Sequence, residues 1–109
     1  MAQMIIMVLE LKVSPQNRLD VLKTLHSMIG PTDANPGCLL CEVYSSTRND
    51  DALFLLEKWK SKTDLEKYIR SDEFHHVMAA MDNANEPPEI SFNTVSSIEQ
   101  MDLVEKVLG

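Results

Sequence analysis

The chain has 109 residues, enough for one domain built around one hydrophobic core. Hydrophobic residues make up 44% of it and charged residues 25%, a globular composition that excludes a disordered or collagen-like chain. Seventeen acidic against ten basic residues give a net charge of −7. We expect no binding to nucleic acid or to an anionic membrane surface, because both require clustered cations.

The N-terminal segment, residues 1–9, is apolar but lacks the basic residues and the small-residue cleavage site of a signal peptide. The apolar stretches of the sequence are far shorter than the roughly 20 residues needed to cross a bilayer. We therefore expect a cytoplasmic protein that consists of a single domain over residues 1–109.

The first half of the chain predicts three strands and one helix. The apolar run over residues 3–13 predicts the first strand. Ser14 and Pro15 then predict a helix start, because serine is a favoured N-cap and proline fits the first helical position. We expect this helix to end at Gly30-Pro31. Residues 38–46 and 52–60 predict two more strands, joined by the polar turn 47–51.

The second half predicts two helical segments, a strand and a terminal helix. Ser61 and Ser71 are N-cap residues that start consecutive helical segments. Residues 90–98 predict a fourth strand, and residues 101–108 predict a short C-terminal helix. The order β-α-β-β-α-β is that of the α+β ferredoxin-like fold, with one antiparallel sheet and both long helices on one face.

The second face of this sheet predicts a homodimer. Two helices cover one face only, yet apolar residues occupy both faces of the first three strands. A face four strands wide and seven residues long projects about 440 Å². This is within the range of the largest apolar patch on a typical monomer. Packing of two sheets face to face, in a dimeric barrel with a two-fold axis, would remove this surface from water.

Cys38 and Cys41 form the motif C-L-L-C inside the second predicted strand. Residues three apart in a regular strand point to opposite faces and lie about 10 Å apart, beyond the reach of a disulfide. The sequence has no second C-x-x-C or H-x3-5-H motif to complete a zinc site. We therefore expect two free, half-buried thiols and no metal.

Five short motifs, taken in order, resemble the antibiotic biosynthesis monooxygenase (ABM) domain family. They are Pro36-Gly37-Cys38, Glu57-Lys58-Trp59-Lys60-Ser61, Leu65, Ser71-Asp72-Glu73-Phe74 and Glu86-Pro87-Pro88-Glu89-Ile90. The resemblance covers about residues 4–98. It implies the fold argued above, a dimeric α+β barrel, and a ligand cleft between the helices and the sheet. Members include oxygenases of aromatic polyketides and quinols that use no bound cofactor, so the resemblance implies none here.

The residues expected near such a cleft follow from their positions. Trp59 ends the third strand and resembles the tryptophan that lines the cleft in oxygenase members; otherwise it packs on the following helix. Glu57 lies two residues before Trp59 on the same face of the strand. It is a candidate base or a structurally paired carboxylate. His26 and His75 are further candidate catalytic residues, with structural roles as the alternative. The expected substrate-binding residues are Trp59, Leu55, Leu65, Tyr68 and Met78.

The sequence also departs from the family. Polyketide oxygenases carry an asparagine four residues before the tryptophan and a tyrosine six residues after it, where this chain has Leu55 and Leu65. Haem-degrading members carry an asparagine, a tryptophan and a proximal histidine, where this chain has Leu9, Tyr68 and Met78. The resemblance therefore does not extend to haem degradation.

Two functions remain open at this point. The first is a monooxygenase-like enzyme that acts on a small aromatic or quinol-type metabolite without a cofactor. The second is a non-catalytic ligand-binding or dimeric interaction domain. An open apolar cavity of a few hundred Å³ beside Trp59 would favour the first, and a space filled by side chains would favour the second.

Overall fold

The computed structural model describes residues 3–109. The strands are β1 (Ile5–Lys12), β2 (Cys38–Ser45), β3 (Ala52–Trp59) and β4 (Glu89–Thr94). The helices are α1 (Pro15–Asp33), α2 (Lys62–Ile69), α3 (Asp72–Asp82) and α4 (Met101–Leu108). The strands form one antiparallel sheet in the order β2-β3-β1-β4. This element order and strand order confirm the ferredoxin-like fold, and the sheet is not closed.

The core lies between the sheet and the helices α1, α2 and α3. Alternate residues of β1 and β3 point into it, as the period of two in these strands predicts. The helices contribute residues from one stripe each, at spacings of three or four. The central members of this core are Met7, Leu9, Leu11, Val21, Leu25, Met28, Leu53, Leu55, Phe74 and Val77.

The predicted end of α1 at Gly30-Pro31 is wrong, because the helix continues through Pro31 to Asp33. Two features allow this continuation. A proline ring disfavours helical backbone in the preceding residue partly through that residue's Cβ, which Gly30 lacks. Thr32 also continues the buried stripe that includes Val21 and Met28. Burial along the stripe therefore offsets the hydrogen bond that Pro31 cannot donate.

The fourth strand ends at Thr94, so the expected extension to Ile98 is wrong. β4 pairs with β1 alone, and the ladder ends where Thr94 faces Ile5 at the start of β1. The Val95 N–H donates one further backbone hydrogen bond, to the carbonyl oxygen of Met4. Beyond that point the chain has no strand to pair with, and Ile98 is exposed.

The expectation that Cys38 and Cys41 point to opposite faces is also wrong. The register of β2 shifts between Cys38 and Leu40, so that Cys38 faces Trp59 and Cys41 faces Glu57 on β3. Such a bulge inserts one residue and returns the next side chains to the original face. Both thiols therefore point toward the helices. Both are free; Cys38 is partly buried, as expected, whereas Cys41 is buried rather than half-buried.

The second face of the sheet, which we call the open face, is not covered by the helices α1, α2 and α3. Its centre is apolar, and β4 contributes only polar side chains to it, so the apolar part is three strands wide rather than four. The apolar residues of the open face are Ile6, Val8, Leu40, Tyr44, Phe54 and Leu56. Its polar margin includes Glu10, Glu42, Lys58, Glu89, Ser91 and Asn93.

Candidate functional site

The candidate site lies at the end of β3, on the side of the sheet that faces the helices. Leu55, Glu57 and Trp59 alternate with side chains of the open face, and each is buried. The strand period that directs the leucines into the core therefore also directs a carboxylate into it. A charged residue is rarely found in such a position without partners.

The Glu57 carboxylate is fully buried and accepts hydrogen bonds at both oxygens. Trp59 Nε1 donates to Oε1 at 3.0 Å, and the Tyr68 hydroxyl donates to Oε2 at 2.7 Å. The Cys41 thiol makes a longer contact with Oε2, at 3.9 Å. These donors come from β3, α2 and β2, so the site exists only once the sheet and α2 have packed together. We call these four residues the Glu57 cluster.

Aromatic stacking fixes the donors of the Glu57 cluster in place. The rings of Trp59 and Tyr68 are stacked, with centroids 4.5 Å apart and planes inclined by 26°. The Phe74 ring, from α3, meets Tyr68 edge-on at 5.4 Å. Both arrangements are favoured by the ring quadrupoles. The stack therefore connects β3, α2 and α3 and holds the Tyr68 hydroxyl against the carboxylate.

Burial dominates the electrostatics of the cluster. It raises the pKa of Glu57 to about 7, although the hydrogen bonds from Tyr68, Trp59 and Cys41 oppose this shift. Burial and the neighbouring carboxylate raise the pKa of Cys38 to about 11 and raise the pKa values of Cys41 and Tyr68 further. The tyrosine and the thiols are therefore neutral donors at physiological pH, and Glu57 is the group that titrates there.

Thr32, in the last turn of α1, reaches the same region. Its hydroxyl oxygen is buried without a hydrogen bond of good geometry, although it lies close enough to Tyr68 to affect the pKa of the phenol. Sequence reasoning missed both Thr32 and Cys41. The helix was expected to end before Thr32, and the bulge that directs Cys41 toward Glu57 has no signature in the sequence.

The structure brings together most, but not all, of the expected site residues. Trp59, Leu55, Leu65 and Tyr68 are buried in one hydrophobic cluster. Glu57 is buried beside Trp59 and Tyr68, which donate hydrogen bonds to it. Met78 does not join them, because it lies on the flank of α3 and is 48% exposed, whereas Val77 and Ala80 are buried.

The two histidines lie outside the cluster as well. His26 is exposed on α1. The His75 side chain is 69% exposed, 3.9 Å from the carboxylate of Asp72 on the same helix. Neither histidine contributes to the Glu57 cluster.

Side chains fill the space directly around Trp59, and an open space lies one strand away. Trp59 itself is fully buried. A cavity of about 390 Å³ lies at the same end of the sheet, between the start of α2 and the ends of β1 and β4. Ile5 lines this cavity and is the cross-strand partner of Trp59. The other lining residues are Gln3, Ser61, Lys62, Thr63 and Thr94.

No group of three or more histidine, cysteine, aspartate or glutamate side chains within residues 3–109 is arranged to hold a metal ion. No helix in this range is long and apolar enough to cross a membrane.

The amino-acid sequence of the chain also matches a family of known proteins. Residues 4–80 match the sequence profile of the antibiotic biosynthesis monooxygenase family. A curated relative, the uncharacterised protein sll1783 of Synechocystis, is 22% identical over 92 residues. The match covers 84% of this chain, and the chain spans only 63% of the length of that relative.

Solved structures show the same fold. A conserved protein of Methanosarcina mazei Go1 is 27% identical, with a TM-score of 0.78, over 84% of this chain and 92% of its own. A protein of Caulobacter crescentus CB15 that carries the family's name is 25% identical, with a TM-score of 0.77, over 90% and 92%. Rv0793 of Mycobacterium tuberculosis is 19% identical, with a TM-score of 0.77, over 89% and 97%. The family profile matches well over half of the length of this chain. The chain therefore belongs to the antibiotic biosynthesis monooxygenase family.

Proposed function

We propose that the protein binds a small, electron-rich aromatic molecule of the quinol type between the sheet and the helices and oxidises it with molecular oxygen. The observation that carries this proposal is the buried Glu57 carboxylate among aromatic side chains, with a pKa of about 7. The substrate loses two hydrogen atoms and gains one oxygen atom, and the second oxygen atom leaves as water. The substrate supplies the electrons, so no bound cofactor is required.

Glu57 is the proposed general base. With a pKa of about 7, it is ionised in about half of the molecules at neutral pH, which suits proton transfer at that pH. Removal of a proton from the aromatic substrate leaves an electron-rich anion, which transfers an electron to oxygen. Tyr68 and Trp59 keep the carboxylate oriented through their hydrogen bonds. The dry surroundings of the cluster limit the competing reaction of the anion with water.

The cavity beside Ile5 is the proposed entrance. Its volume of about 390 Å³ suits a ligand of one or two aromatic rings. Ile5 lies between this space and Trp59, so a shift of the Ile5 side chain would bring a ligand to the aromatic stack. Trp59, Leu55, Leu65 and Tyr68 then form the apolar wall of the site.

A second function, ligand binding without catalysis, is the one that the filled space beside Trp59 favours. Trp59, Tyr68 and Leu65 fill the space around the carboxylate. Both oxygens of Glu57 already accept hydrogen bonds within the protein, as expected for a structural carboxylate. In this function the ligand occupies the cavity beside Ile5, and Glu57 only stabilises the fold.

Oxygen consumption with a panel of one- to three-ring hydroquinones separates the two functions. If Glu57 is the base, Glu57→Gln lowers the rate above autoxidation by at least about 100-fold, which is typical for loss of a general base. The matched control is Glu86→Gln, an exposed carboxylate in the loop before β4. Equal rates for the Glu57→Gln and native proteins would contradict the role of Glu57, and binding without oxygen uptake would support the second function.

Trp59 provides the test of the site itself. Trp59→Phe retains most of the apolar wall, so we expect a folded protein with weakened ligand binding, measured by calorimetry. Trp59→Ala removes a fully buried ring and should cost about 3–5 kcal/mol of stability. If a folded Trp59→Ala protein bound a confirmed ligand as tightly as the native protein, the site would lie elsewhere.

We also propose that the protein forms a homodimer through the open face. An apolar centre formed by residues such as Val8, Phe54 and Leu56, surrounded by a polar margin, is the usual anatomy of a protein interface. Association of two such faces around a two-fold axis removes both from water. The helices, and with them the Glu57 cluster, lie on the outer side of each sheet in this arrangement.

A further inference from the structure

One buried hydroxyl group beside the Glu57 cluster has no partner. Thr32 lies in the last turn of α1 and is 1% exposed, yet within residues 3–109 its Oγ1 makes no hydrogen bond of good geometry. Buried polar groups of native proteins are nearly always paired, because an unpaired one costs free energy. A threonine in a helix can donate to the carbonyl four residues earlier, here that of Met28, but this bond is not formed. The hydroxyl is therefore available to a neighbour.

The neighbour of this hydroxyl is the phenol of Tyr68. Thr32 lies close enough to the Tyr68 hydroxyl to oppose the rise of its pKa. That hydroxyl donates its one proton to Glu57 Oε2, at 2.7 Å, and its oxygen can still accept a hydrogen bond. While Glu57 is ionised, Thr32 can therefore donate to Tyr68, and Tyr68 donates to Glu57. We call these three side chains the Thr32 relay.

Protonation of Glu57 requires the Thr32 relay to reverse. The indole N–H of Trp59 can only donate, and it donates to Oε1 at 3.0 Å, so the added proton belongs on Oε2. The carboxyl group and the Tyr68 hydroxyl cannot both place a proton between them, so the carboxyl group donates and the phenol accepts. The phenol must then donate its own proton elsewhere. Thr32 Oγ1 is a buried oxygen beside Tyr68 with an acceptor site free.

The elements around Glu57 contribute no second group that titrates near neutral pH within residues 3–109. The side chains in and around the Glu57 cluster include Cys38 and Cys41 of β2, Met7 of β1, Tyr68 of α2 and Phe74 of α3. Burial raises the pKa of both thiols and of the phenol, and the methionine and phenylalanine do not ionise. Asp33, next to Thr32 at the end of α1, is exposed. The protonation state of Glu57 therefore sets the direction of the relay.

We propose that Thr32 is a positioning residue for the proposed base, whose hydroxyl donates to Tyr68 while Glu57 is ionised and accepts from Tyr68 while Glu57 is protonated. The inference rests on the proposed function, in which Glu57 takes up a proton in each reaction, and extends the site to the end of α1. After the reversal, the Thr32 hydroxyl turns its proton to the Met28 carbonyl. Each buried proton is then paired in both states, so Glu57 can titrate while it stays buried.

The test is the titration of Glu57 without substrate, followed through the fluorescence of Trp59, which donates to its carboxylate. Thr32→Val keeps the shape of the side chain but removes the hydroxyl, so Tyr68 has no acceptor while Glu57 is protonated. An unpaired buried donor disfavours the protonated form, and we expect the midpoint to fall by about one pH unit. Thr32→Ser retains the hydroxyl and should keep the native midpoint. The control is Thr24→Val, which removes a hydroxyl already bonded within α1 and should not move the midpoint.

A double variant tests whether Tyr68 connects Thr32 to Glu57. In a Tyr68→Phe background, Thr32→Val should no longer shift the midpoint. An equal shift with and without the phenol would overturn the inference, as would an unchanged or raised midpoint in Thr32→Val alone. If Thr32→Val is too unstable to titrate, Thr32→Ala removes the same hydroxyl and is judged by the same midpoint.

Oxygen consumption separates this inference from the proposed function. If Glu57 is the base, the pH of half-maximal activity should fall in Thr32→Val together with the fluorescence midpoint. If the fluorescence midpoint falls as expected but oxygen uptake is the same in Glu57→Gln and the native protein, the Thr32 relay stands and the catalytic role of Glu57 is wrong. If activity requires Glu57 but neither midpoint responds to Thr32→Val, the proposed function stands and the relay is wrong.

Discussion

Glu57 shows how a single residue depends on three separate parts of the chain. Its partners are Trp59 on the same strand, Tyr68 on α2 and Cys41 on β2. Burial disfavours the charged carboxylate, and the three donors favour it. Because burial is the larger effect, the pKa lies near neutral pH rather than near its usual acidic value, and small changes in the cluster should move it measurably.

The fluorescence of Trp59 should report the titration of Glu57. Trp59 is the only tryptophan, and its indole N–H donates to the carboxylate. We expect its emission to change with a midpoint near pH 7 and expect Glu57→Gln to abolish this transition. Tyr68→Phe removes a hydrogen bond to the charged form and should raise the midpoint by about one unit. A native protein whose emission is constant between pH 5 and 9 would contradict the assignment.

Glu57 should also make the folded state less stable as the pH rises. Its pKa is about 7 in the folded protein and 4.5 for an unperturbed glutamate, so between these values the native state holds a proton that the unfolded state has released. The free energy of unfolding should therefore fall by about 3 kcal/mol from pH 4.5 to pH 7. Urea denaturation of the native protein and of Glu57→Gln at several pH values isolates this contribution. The same slope in both proteins would show that other groups cause it.

The short elements β2 and α2 meet at a close contact between Gly37 and Asp64. A Cβ on Gly37 would lie 2.6 Å from both Cβ and Cγ of Asp64. Asp64 belongs to the start of α2, where its backbone N–H donates to the Ser61 hydroxyl and that hydroxyl donates to its carboxylate. Gly37 is thus required because the capped end of α2 packs directly on the backbone that leads into β2.

Gly37→Ala should therefore destabilise the protein by about 1–3 kcal/mol, because either the strand or the helix start must shift. Asp64→Gly alone should cost about 1 kcal/mol, through the loss of the cap contact and the flexibility of glycine. The double variant should be more stable than the sum of the two single changes predicts, since the clash is then absent. Chemical denaturation of the four proteins of this cycle gives the coupling, and strict additivity would show that the contact is not the cause.

At the scale of the whole molecule, the proposed homodimer gives the open face a testable role. Leu56 lies on β3, between the edge strands, and is directed away from the helices. Leu56→Asp should yield a folded monomer, because a buried, unpaired charge at the centre of an interface opposes association. Light scattering at micromolar concentration is the measurement. Lys67→Asp, on the exposed side of α2, serves as the control and should remain dimeric.

The sequence by itself determined the order of the elements and the two faces of the main strands. Alternation in β1 and β3 and the serine caps at Ser61 and Ser71 are local signals, carried by residues close together in the chain. The same local signals placed Glu57 and Trp59 on one face. Spacing therefore predicted that Glu57 and Trp59 share a face, whereas the expectation of a ligand cleft beside them rested on the family resemblance.

Only the tertiary structure decided the features that depend on partners distant in the chain. Packing of Thr32 carries α1 through Pro31, and a bulge turns Cys41 toward Glu57. β4 ends where β1 begins, because it has no other strand to pair with. Met78 is exposed because of the position that α3 takes over the sheet. In each case the free energy of burial or pairing outweighs the local preference of the backbone, and that energy exists only once the chain has folded.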